Sequence, residues 1–305
     1  VGRIQYTQFL GPMAETNIIL WLQTLSNPVL DYIMLGLTQL GSEILFLVAA
    51  VILYWCVDKK FAFRFMNVYI LGVSLNEGLK AIIRRPRPFV AHPDEIRSIG
   101  DPTHGYSMPS GHSQSIANVS VQVCRRFKGT KAGAVLLPFG VYLTIIVMFT
   151  RIYLGQHYLT DVLAGCAVGI LSALLFSRLF DFLGDREHWL FVAVLPLTVL
   201  AAALLAGTGT ASSVPDVMKV LGGYGAVTVG YFVEKRFVRY AVRTEAKWKY
   251  AVRLLLGLAV TLALKEGLKY AFPENNAFLY GYLRYFIVAI WASLGAPALF
   301  KVARI

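Results

Sequence analysis

Residues 132–183 read AGAVLLPFGVYLTIIVMFTRIYLGQHYLTDVLAGCAVGILSALLFSRLFDFL. The segment contains two long apolar runs, residues 132–151 and 158–183, and each is long enough to cross a bilayer as a helix. A short polar segment joins the two runs. The pattern predicts an antiparallel pair of membrane-spanning helices with ionisable side chains gathered at one membrane surface.

The composition of the whole chain agrees with a membrane location. Its 305 residues are 57% hydrophobic and only 15% charged, whereas a soluble domain is about one quarter charged. The net charge of +12 would suit a nucleic-acid partner, but nucleic-acid proteins carry such charge on a soluble body. We therefore predict an integral membrane protein with no nucleic-acid partner, and the apolar content excludes a disordered chain.

Seven further apolar segments extend the pattern, so we predict an all-α, polytopic protein with about nine transmembrane helices. The third segment is short and rich in Ser, Asn and Gln, so it cannot face lipid on all sides and is expected to be central. The nine predicted spans lie near 29–57, 61–83, 110–127, 132–151, 158–183, 189–207, 215–233, 249–272 and 281–303.

The predicted organisation has three parts. Residues 1–28 interleave apolar side chains such as Ile4 and Phe9 with polar ones, which indicates an amphipathic helix in the membrane interface. Residues 29–207 form a six-helix core. Residues 208–305 add a C-terminal membrane region of three helices.

The distribution of basic residues predicts the orientation. Seventeen of the 29 Lys and Arg residues lie in loops that nine spans place on one side, and the positive-inside rule makes that side cytoplasmic. The opposite loops are poor in cations except for a cluster at Arg84, Arg85 and Arg87, and for Arg97. Cations on the side that normally avoids them need a local reason.

Three short motifs supply that reason, and all of them fall at the ends of spans two to five on the non-cytoplasmic side. Three cations around one location suit a phosphate group, and the backbone N–H groups of Ser110 and Gly111, just before a helix, can point at an anion. The motifs are Lys80-x6-Arg87-Pro88, Pro109-Ser110-Gly111-His112 and Arg151-x5-His157-x3-Asp161.

The histidines of these motifs suggest phosphoryl transfer. If the fifth helix begins by His157, then His157 and Asp161 share one face, and the carboxylate can orient the imidazole as a nucleophile. His112 is then free to protonate the leaving oxygen. The residues alone favour His157 over His112 as the nucleophile but leave both open. Arginines can neutralise the phosphoryl oxygens without a metal.

The three motifs in this order resemble those of the type 2 phosphatidic acid phosphatase superfamily. Its members include lipid phosphate phosphatases, bacterial polyprenyl-diphosphate phosphatases, sphingosine-phosphate phosphatases, glucose-6-phosphatase and vanadium haloperoxidases. The motifs span residues 80–161, and the resembling six-helix core spans residues 29–207. One position departs from the pattern, because Thr150 stands where the family usually has Ser, and threonine keeps the hydroxyl.

The resemblance implies a role for each matching residue, and it implies no metal or other cofactor. His157 would form a phosphohistidine, Asp161 would orient it, and His112 would be the general acid. The phosphate-binding residues would be Lys80, Arg87, Ser110, Gly111 and Arg151.

The expected function is hydrolysis of a lipid monophosphate or diphosphate on the non-cytoplasmic face. The alternative is the same chemistry on a soluble phosphate such as a sugar phosphate, since nine spans resemble the layout of glucose-6-phosphatase and the sphingosine-phosphate phosphatases. A transporter or a catalytically silent lipid-binding protein is a third hypothesis. A bacterial plasma membrane and the endoplasmic reticulum are both compatible locations, and we favour the first.

Three neighbouring features have a structural or a functional interpretation. Arg84 and Arg85 either steer anionic headgroups or extend to the membrane surface as ordinary interfacial cations. Glu77 lies three residues before Lys80 and either pairs with it or extends to water. The polar loop 89–108 is predicted to be a solvated lid.

Overall fold

The computed structural model of the protein describes residues 13–207, 215–272, 276 and 278–305. Within these ranges the chain forms helices, turns and irregular segments and contains no strand. The prediction of an all-α protein is confirmed.

Thirteen α-helices follow one another along the described residues. Short 3₁₀ turns at Gln39–Gly41 and Gly184–His188 and π-helical turns at Leu53–Val57, Glu234–Val238, Phe278–Leu283 and Trp291–Gly295 continue several of them. The helices are α1 (Met13–Gln23), α2 (Pro28–Thr38), α3 (Glu43–Ile52), α4 (Lys59–Ile83), α5 (Pro88–Ala91), α6 (Gly111–Arg126), α7 (Lys131–Tyr153), α8 (Leu159–Leu183), α9 (Trp189–Gly207), α10 (Pro215–Val233), α11 (Trp248–Ala271), α12 (Arg284–Ile290) and α13 (Ala296–Val302).

Fewer helices than predicted have the length and composition of a full membrane span. In the described residues three qualify, namely Lys131–Tyr153, Leu159–Leu183 and Tyr280–Val302. A fourth is added if Pro28–Gly41 and Leu45–Val57, bent by 46°, form one span. Nine spans are therefore not confirmed.

The shortfall has a physical reason. Helices α4 and α11 each carry five charged residues among 25 and 24, which is costly for a helix exposed to lipid. Helix α6 has 16 residues, fewer than the about 20 that cross a hydrocarbon core. Polar and charged helices of this kind are accommodated where protein surrounds them.

The chain divides into two compact units. The first comprises the described residues of Val1–Ala49 and Arg64–Phe182, and the second comprises those of Ala50–Phe63 and Leu183–Ile305. The first unit contains all the residues that the three motifs single out, so it positions the candidate site.

Helix α1 packs inside the first unit, of which it is a part. Ile19 and Leu22 are buried in a hydrophobic cluster with residues such as Ile96 and Tyr158, while Trp21 remains 64% exposed. The predicted interfacial segment began at residue 1, and its first twelve residues, with Ile4 and Phe9, lie outside the described ranges.

Helix α6 lies at the centre of the first unit, as its polar composition predicts. Its Asn118 donates to Ser172 Oγ (3.1 Å), Gln122 donates to Asn118 Oδ1 (2.8 Å), and Ser115 shares a hydrogen bond with Tyr69 (2.9 Å). Asn118 and Ser115 thus have partners on neighbouring helices and Gln122 has one within α6, and these hydrogen bonds offset part of the cost of burying a polar helix.

Two glycines of α8 allow α6 to approach closely. A Cβ on Gly165 would lie 2.3 Å from the carbonyl oxygen of Ser110, and one on Gly169 would lie 2.4 Å from that of Gln114. Any larger side chain would push the start of α6 away from α8. The two glycines thus fix the spacing of the helix ends that carry two of the motifs.

The second unit is organised around buried charge. Arg253 is 2% exposed, donates to the carbonyl oxygens of Val242 (2.5 Å) and Ile305 (3.0 Å), and lies over the ring of Tyr240. Lys59 pairs with the fully buried Glu234 at 2.6 Å. Hydrogen bonds to carbonyls and carboxylates offset the cost of burying these cations.

Candidate active site

The first motif lies at the C-terminal end of α4 and continues into the turn that follows it. The helix stops at Ile83, and Arg84 adopts a left-handed conformation with φ of 54°. The side chain of Arg87 is then buried and donates to the carbonyl oxygens of His104 (2.9 Å), Gly105 (3.1 Å) and Gln156 (3.2 Å). These bonds hold its guanidinium in one place.

The electrostatic environment of Arg87 leaves it charged. Burial lowers the pKa of Arg87 to about 10, and the carboxylates of Asp161 and Glu77 act in the opposite direction. The guanidinium is therefore a cation at neutral pH, as phosphate binding requires.

Lys80 lies in the last turn of α4, close to the second motif. Its Nζ pairs with Glu77 Oε1 at 2.7 Å, which confirms that interpretation of Glu77. The same Nζ lies 3.6 Å from where a Cβ on Gly111 would be. The lysine charge is thus brought to the start of α6.

The second motif forms the beginning of α6, which starts at Gly111. The first bond of the helix runs from Gln114 N to Ser110 O (3.0 Å), so the N–H groups of Gly111 and His112 precede the regular ladder. The Ser110 N–H, which the sequence assigned to an anion, instead donates to the backbone oxygen of Asp161 (2.9 Å). That N–H ties the second motif to the third.

Arg151 is the least satisfied cation of the site. It lies in the last turn of α7, is 4% exposed, and donates through Nη1 to Thr38 Oγ1 (3.1 Å). Its Nε and Nη2 atoms are buried and have no hydrogen-bond partner among the described residues. Two buried guanidinium donors without acceptors are costly in a folded protein unless an anion binds them.

His157 lies in the turn between α7 and α8, two residues before α8 begins at Leu159. The condition that placed His157 and Asp161 on one helix face is therefore not met. The imidazole is 2% exposed, and its Nε2 is 3.2 Å from Arg87 Nη1. An N–H donor at this distance favours a ring in which Nε2 carries a lone pair.

The protonation state of His157 suits a nucleophile. Burial lowers its pKa to about 3, the Asp161 carboxylate acts to raise it, and the cations Arg151 and Arg87 lower it further. The imidazole is thus neutral at neutral pH and keeps the lone pair that attack on phosphorus requires.

Asp161 is the fully buried carboxylate of the site. Its Oδ2 is 3.7 Å from His157 Nδ1, too far for a direct hydrogen bond, and accepts from Ser107 Oγ at 2.5 Å. The Ser107 hydroxyl is also 3.3 Å from His157 Nδ1, so it bridges the two side chains. Oδ2 accepts in addition from Tyr158 N (2.8 Å), in the manner of a capping-box carboxylate at the start of α8.

His112 joins the cluster from α6. It is half-buried and interacts electrostatically with the other ionisable groups of the three motifs. The structure therefore brings all eight sequence-predicted residues to one end of the first unit. The partners of His112 in these interactions are Lys80, Arg87, Arg151 and His157.

The prediction from the sequence left out two residues that contact the site. Arg85 was interpreted as a headgroup-steering or interfacial cation, but it is 7% exposed and forms an ion pair with Asp161 (2.8 Å). Ser107 had no signal beyond lying three residues before Ser110. Arg84, in contrast, is exposed and donates to the carbonyl of Ala81.

The loop 89–108 is more ordered in its packing than a solvated lid. Ile96 and Ile99 are buried in the hydrophobic cluster that includes α1, and Ser107 is fully buried. The loop packs in this way because buried apolar residues alternate with exposed polar ones along it. A count of polar residues does not reveal that alternation. The loop therefore forms one wall of the site.

Comparison with known families agrees with this geometry. The model of the PAP2 superfamily matches residues 61–185, a range that contains all eight predicted site residues. A second model, described as the transmembrane extension of PAP2 superfamily phosphatases, matches residues 218–305.

Several known proteins are similar to this chain. Sphingosine-1-phosphate phosphatase 1 from Rattus norvegicus is 28% identical over 68% of this chain and 50% of its own length. The chain thus spans about half the length of that relative. Undecaprenyl-diphosphatase BcrC from Bacillus subtilis is 30% identical over 52% of this chain and 78% of its own length. The crystal structure of a transmembrane PAP2 type phosphatidylglycerolphosphate phosphatase from the same species covers 59% of this chain and 88% of its own, at 24% identity and a TM-score of 0.48.

The matched segment holds the whole cluster of cations, histidines and buried carboxylate, and most of one relative's length aligns with this chain at 30% identity. The chain is an integral membrane protein and belongs to the PAP2 superfamily.

Proposed function

We propose that this protein is a membrane phosphatase that hydrolyses a lipid phosphate or diphosphate through a phosphohistidine on His157, without a metal ion. The observation that carries the proposal is the pair of buried guanidinium donors of Arg151, which have no partner among the residues that the structure describes, close to a neutral, buried His157. An anion with several acceptor oxygens satisfies those donors, and the imidazole is the nucleophile next to it.

The charges of the site fit a phosphoryl group. Arg87 and Arg151 present rigid guanidinium groups, which match the geometry of phosphate oxygens, and Lys80 adds a mobile point charge. The first N–H groups of α6, at Gly111 and His112, add donors at a helix N-terminus. Together the three cations neutralise the charge on the equatorial oxygens in the transition state.

The first step forms the phosphoenzyme. The Nε2 lone pair of His157 attacks phosphorus, and the bond from phosphorus to the ester oxygen breaks on the opposite side. His112, which is protonated once the charge of the bound phosphate offsets the surrounding cations, gives its proton to that oxygen. The His157 Nδ1 proton stays hydrogen-bonded to Ser107, whose own hydroxyl donates to Asp161. In the structure, Arg87 Nη1 lies beside His157 Nε2; once the phosphoryl group is bound, Nη1 is in place to donate to one of its oxygens rather than to the imidazole.

The second step releases phosphate. Water attacks the phosphorus of the phosphohistidine, His112 takes up the water proton, and the bond from phosphorus to Nε2 breaks. His157 returns to its neutral form with the lone pair on Nε2.

The site is proposed to face the non-cytoplasmic side. Lys80, Arg151 and His157 gather at one end of the helices of the first unit, whereas Arg125 and Lys131 lie at their opposite ends. The positive-inside rule assigns the second end to the cytoplasm.

In intact cells, a membrane-impermeant thiol reagent is expected to label an Asp101→Cys variant but not an Arg126→Cys variant. The reverse pattern of labelling would contradict this orientation.

The proposed substrate class is a lipid phosphate. The family membership supports it, because the relatives named above include a sphingosine-1-phosphate phosphatase and an undecaprenyl-diphosphatase. A bacterial plasma membrane is the proposed location.

A substrate panel tests the proposal on the purified protein in detergent. We expect phosphate release from a long-chain lipid monophosphate or diphosphate with kcat/KM at least about tenfold above that for glucose 6-phosphate, because tail burial adds binding energy. Release is expected to continue in excess chelator. A preference for glucose 6-phosphate would favour the soluble-substrate alternative, and loss of release in chelator would contradict a metal-free mechanism.

A further inference from the structure

A chain of buried charges leads from the active site to helix α1. Asp161 Oδ1 accepts from Arg85 Nη1 at 2.8 Å, and Arg85 Nη2 donates to Glu15 Oε2 at 2.7 Å. The three residues are 0%, 7% and 5% exposed. One guanidinium is thus shared by two carboxylates, of which one belongs to the site and the other to a helix that the PAP2 match does not include.

The surroundings hold Arg85 in a single pose. Its guanidinium lies 4.0 Å from the centre of the Tyr158 ring, and Nη1 also donates to Thr160 Oγ1 (2.6 Å). Glu15 is fixed in turn, because its Oε1 accepts from Thr160 N (2.7 Å) in the first turn of α8. Each of the three charged side chains has several hydrogen-bond partners, so we infer that their arrangement is rigid.

We propose that Arg85, clamped by Glu15 of helix α1, is a positioning residue that keeps Asp161 ionised and aimed at the Ser107–His157 pair. The inference rests on the proposed function, in which His157 attacks the phosphate. It assigns α1 a part in catalysis that neither the three motifs nor the residue types of α1 indicate.

Charge balance explains why both partners are needed. Without Arg85, the carboxylates of Glu15 and Asp161 would face each other in a buried space, and such pairs take up a proton. A protonated Asp161 would no longer hold the Ser107 hydroxyl as an acceptor on Oδ2, so the orientation of His157 would be lost. Without Glu15, Arg85 would have Asp161 as its only carboxylate partner among the described residues. The guanidinium would then be held on one side only, so the position of Arg85, and with it that of Asp161, would be less constrained.

The test compares Glu15→Gln, Arg85→Gln and the double variant in phosphate release and phosphoenzyme formation. We expect Arg85→Gln to lower kcat about 100-fold and Glu15→Gln about tenfold, with KM within about twofold of the wild type in both, because positioning acts on the chemical step. The double variant is expected to be faster than Arg85→Gln alone, because Asp161 regains its charge when Glu15 is neutral.

A matched control separates this role from general stability. Arg125→Gln breaks an ion pair of similar length with Asp181 (2.9 Å) that is partly exposed, at the other end of the same unit, and its kcat should equal that of the wild type. A double variant no faster than Arg85→Gln, or losses that appear in KM or in the folded fraction rather than kcat, would overturn the inference. If the wild type itself forms no phosphoenzyme, the proposed function fails instead.

Discussion

Replacement of His157 by glutamine is expected to lower kcat by about 10⁴-fold or more, because removal of a nucleophile leaves only the contribution of binding and charge stabilisation. Glutamine keeps a polar side chain of similar size in a site that is almost fully buried, so the fold should persist. A rapid quench of the wild type in alkaline detergent with ³²P-labelled substrate should trap a phosphoenzyme that is stable in alkali, is lost on acidification and is absent from the variant.

The comparison with His112→Ala distinguishes nucleophile from general acid. An aryl phosphate needs little protonation of its leaving oxygen, so His112→Ala should still form phosphoenzyme from it and release the aryl alcohol. His157→Gln should do neither. If instead the phosphoenzyme persists in His157→Gln and disappears in His112→Ala, the two roles are reversed.

Replacement of Arg151 by methionine is expected to lower activity while it raises stability. The guanidinium is 4% exposed and two of its nitrogens have no partner among the described residues, and each such donor costs about 1–3 kcal/mol. Methionine fills a similar volume without donors, so Tm should rise, by on the order of 2–4 °C per kcal/mol gained. We expect kcat/KM to fall about 10³-fold, since a transition-state cation is lost.

Arg253→Met is the matched control, because Arg253 is about equally buried and lacks a partner among the described residues only at Nε, while its Nη atoms donate to carbonyl oxygens of the second unit. Its Tm should fall, since those acceptors lose their donor. Inorganic phosphate should raise the Tm of the wild type and of any folded Arg253→Met, but not of Arg151→Met. A lower Tm for Arg151→Met, or full activity in that variant, would contradict the assignment of Arg151 to phosphate.

The helical class of this protein could be predicted because composition and apolar run length depend only on local sequence. The prediction of nine spans, in contrast, is not confirmed by helix length and composition in the described residues. A helix such as α6, with buried Asn118 and Gln122, or α4, with charges at both ends, is tolerated only where neighbouring helices supply partners. Which helices have such partners is a property of the packed structure, and apolar counting treats all of them alike.

The eight predicted site residues could be chosen from the sequence because each belongs to a short motif in which residue type and spacing both carry meaning. Glu77 could also be paired with Lys80, since an i, i+3 contact is set by helix geometry. The relation of His157 to Asp161 could not be predicted, because it depends on α8 beginning at Leu159 rather than earlier.

The three motifs are enough to predict which cations, histidines and carboxylate form the site, because residue type and spacing within a few residues carry that information. Only the tertiary structure showed that Ser107 stands between His157 and Asp161, and that Glu15 reaches Arg85 across 70 residues of chain. Contacts at such separations follow from how buried helices satisfy their charges in a low-dielectric interior. That balance involves α1, α8 and the loop before α6 together, and no single stretch of sequence contains it.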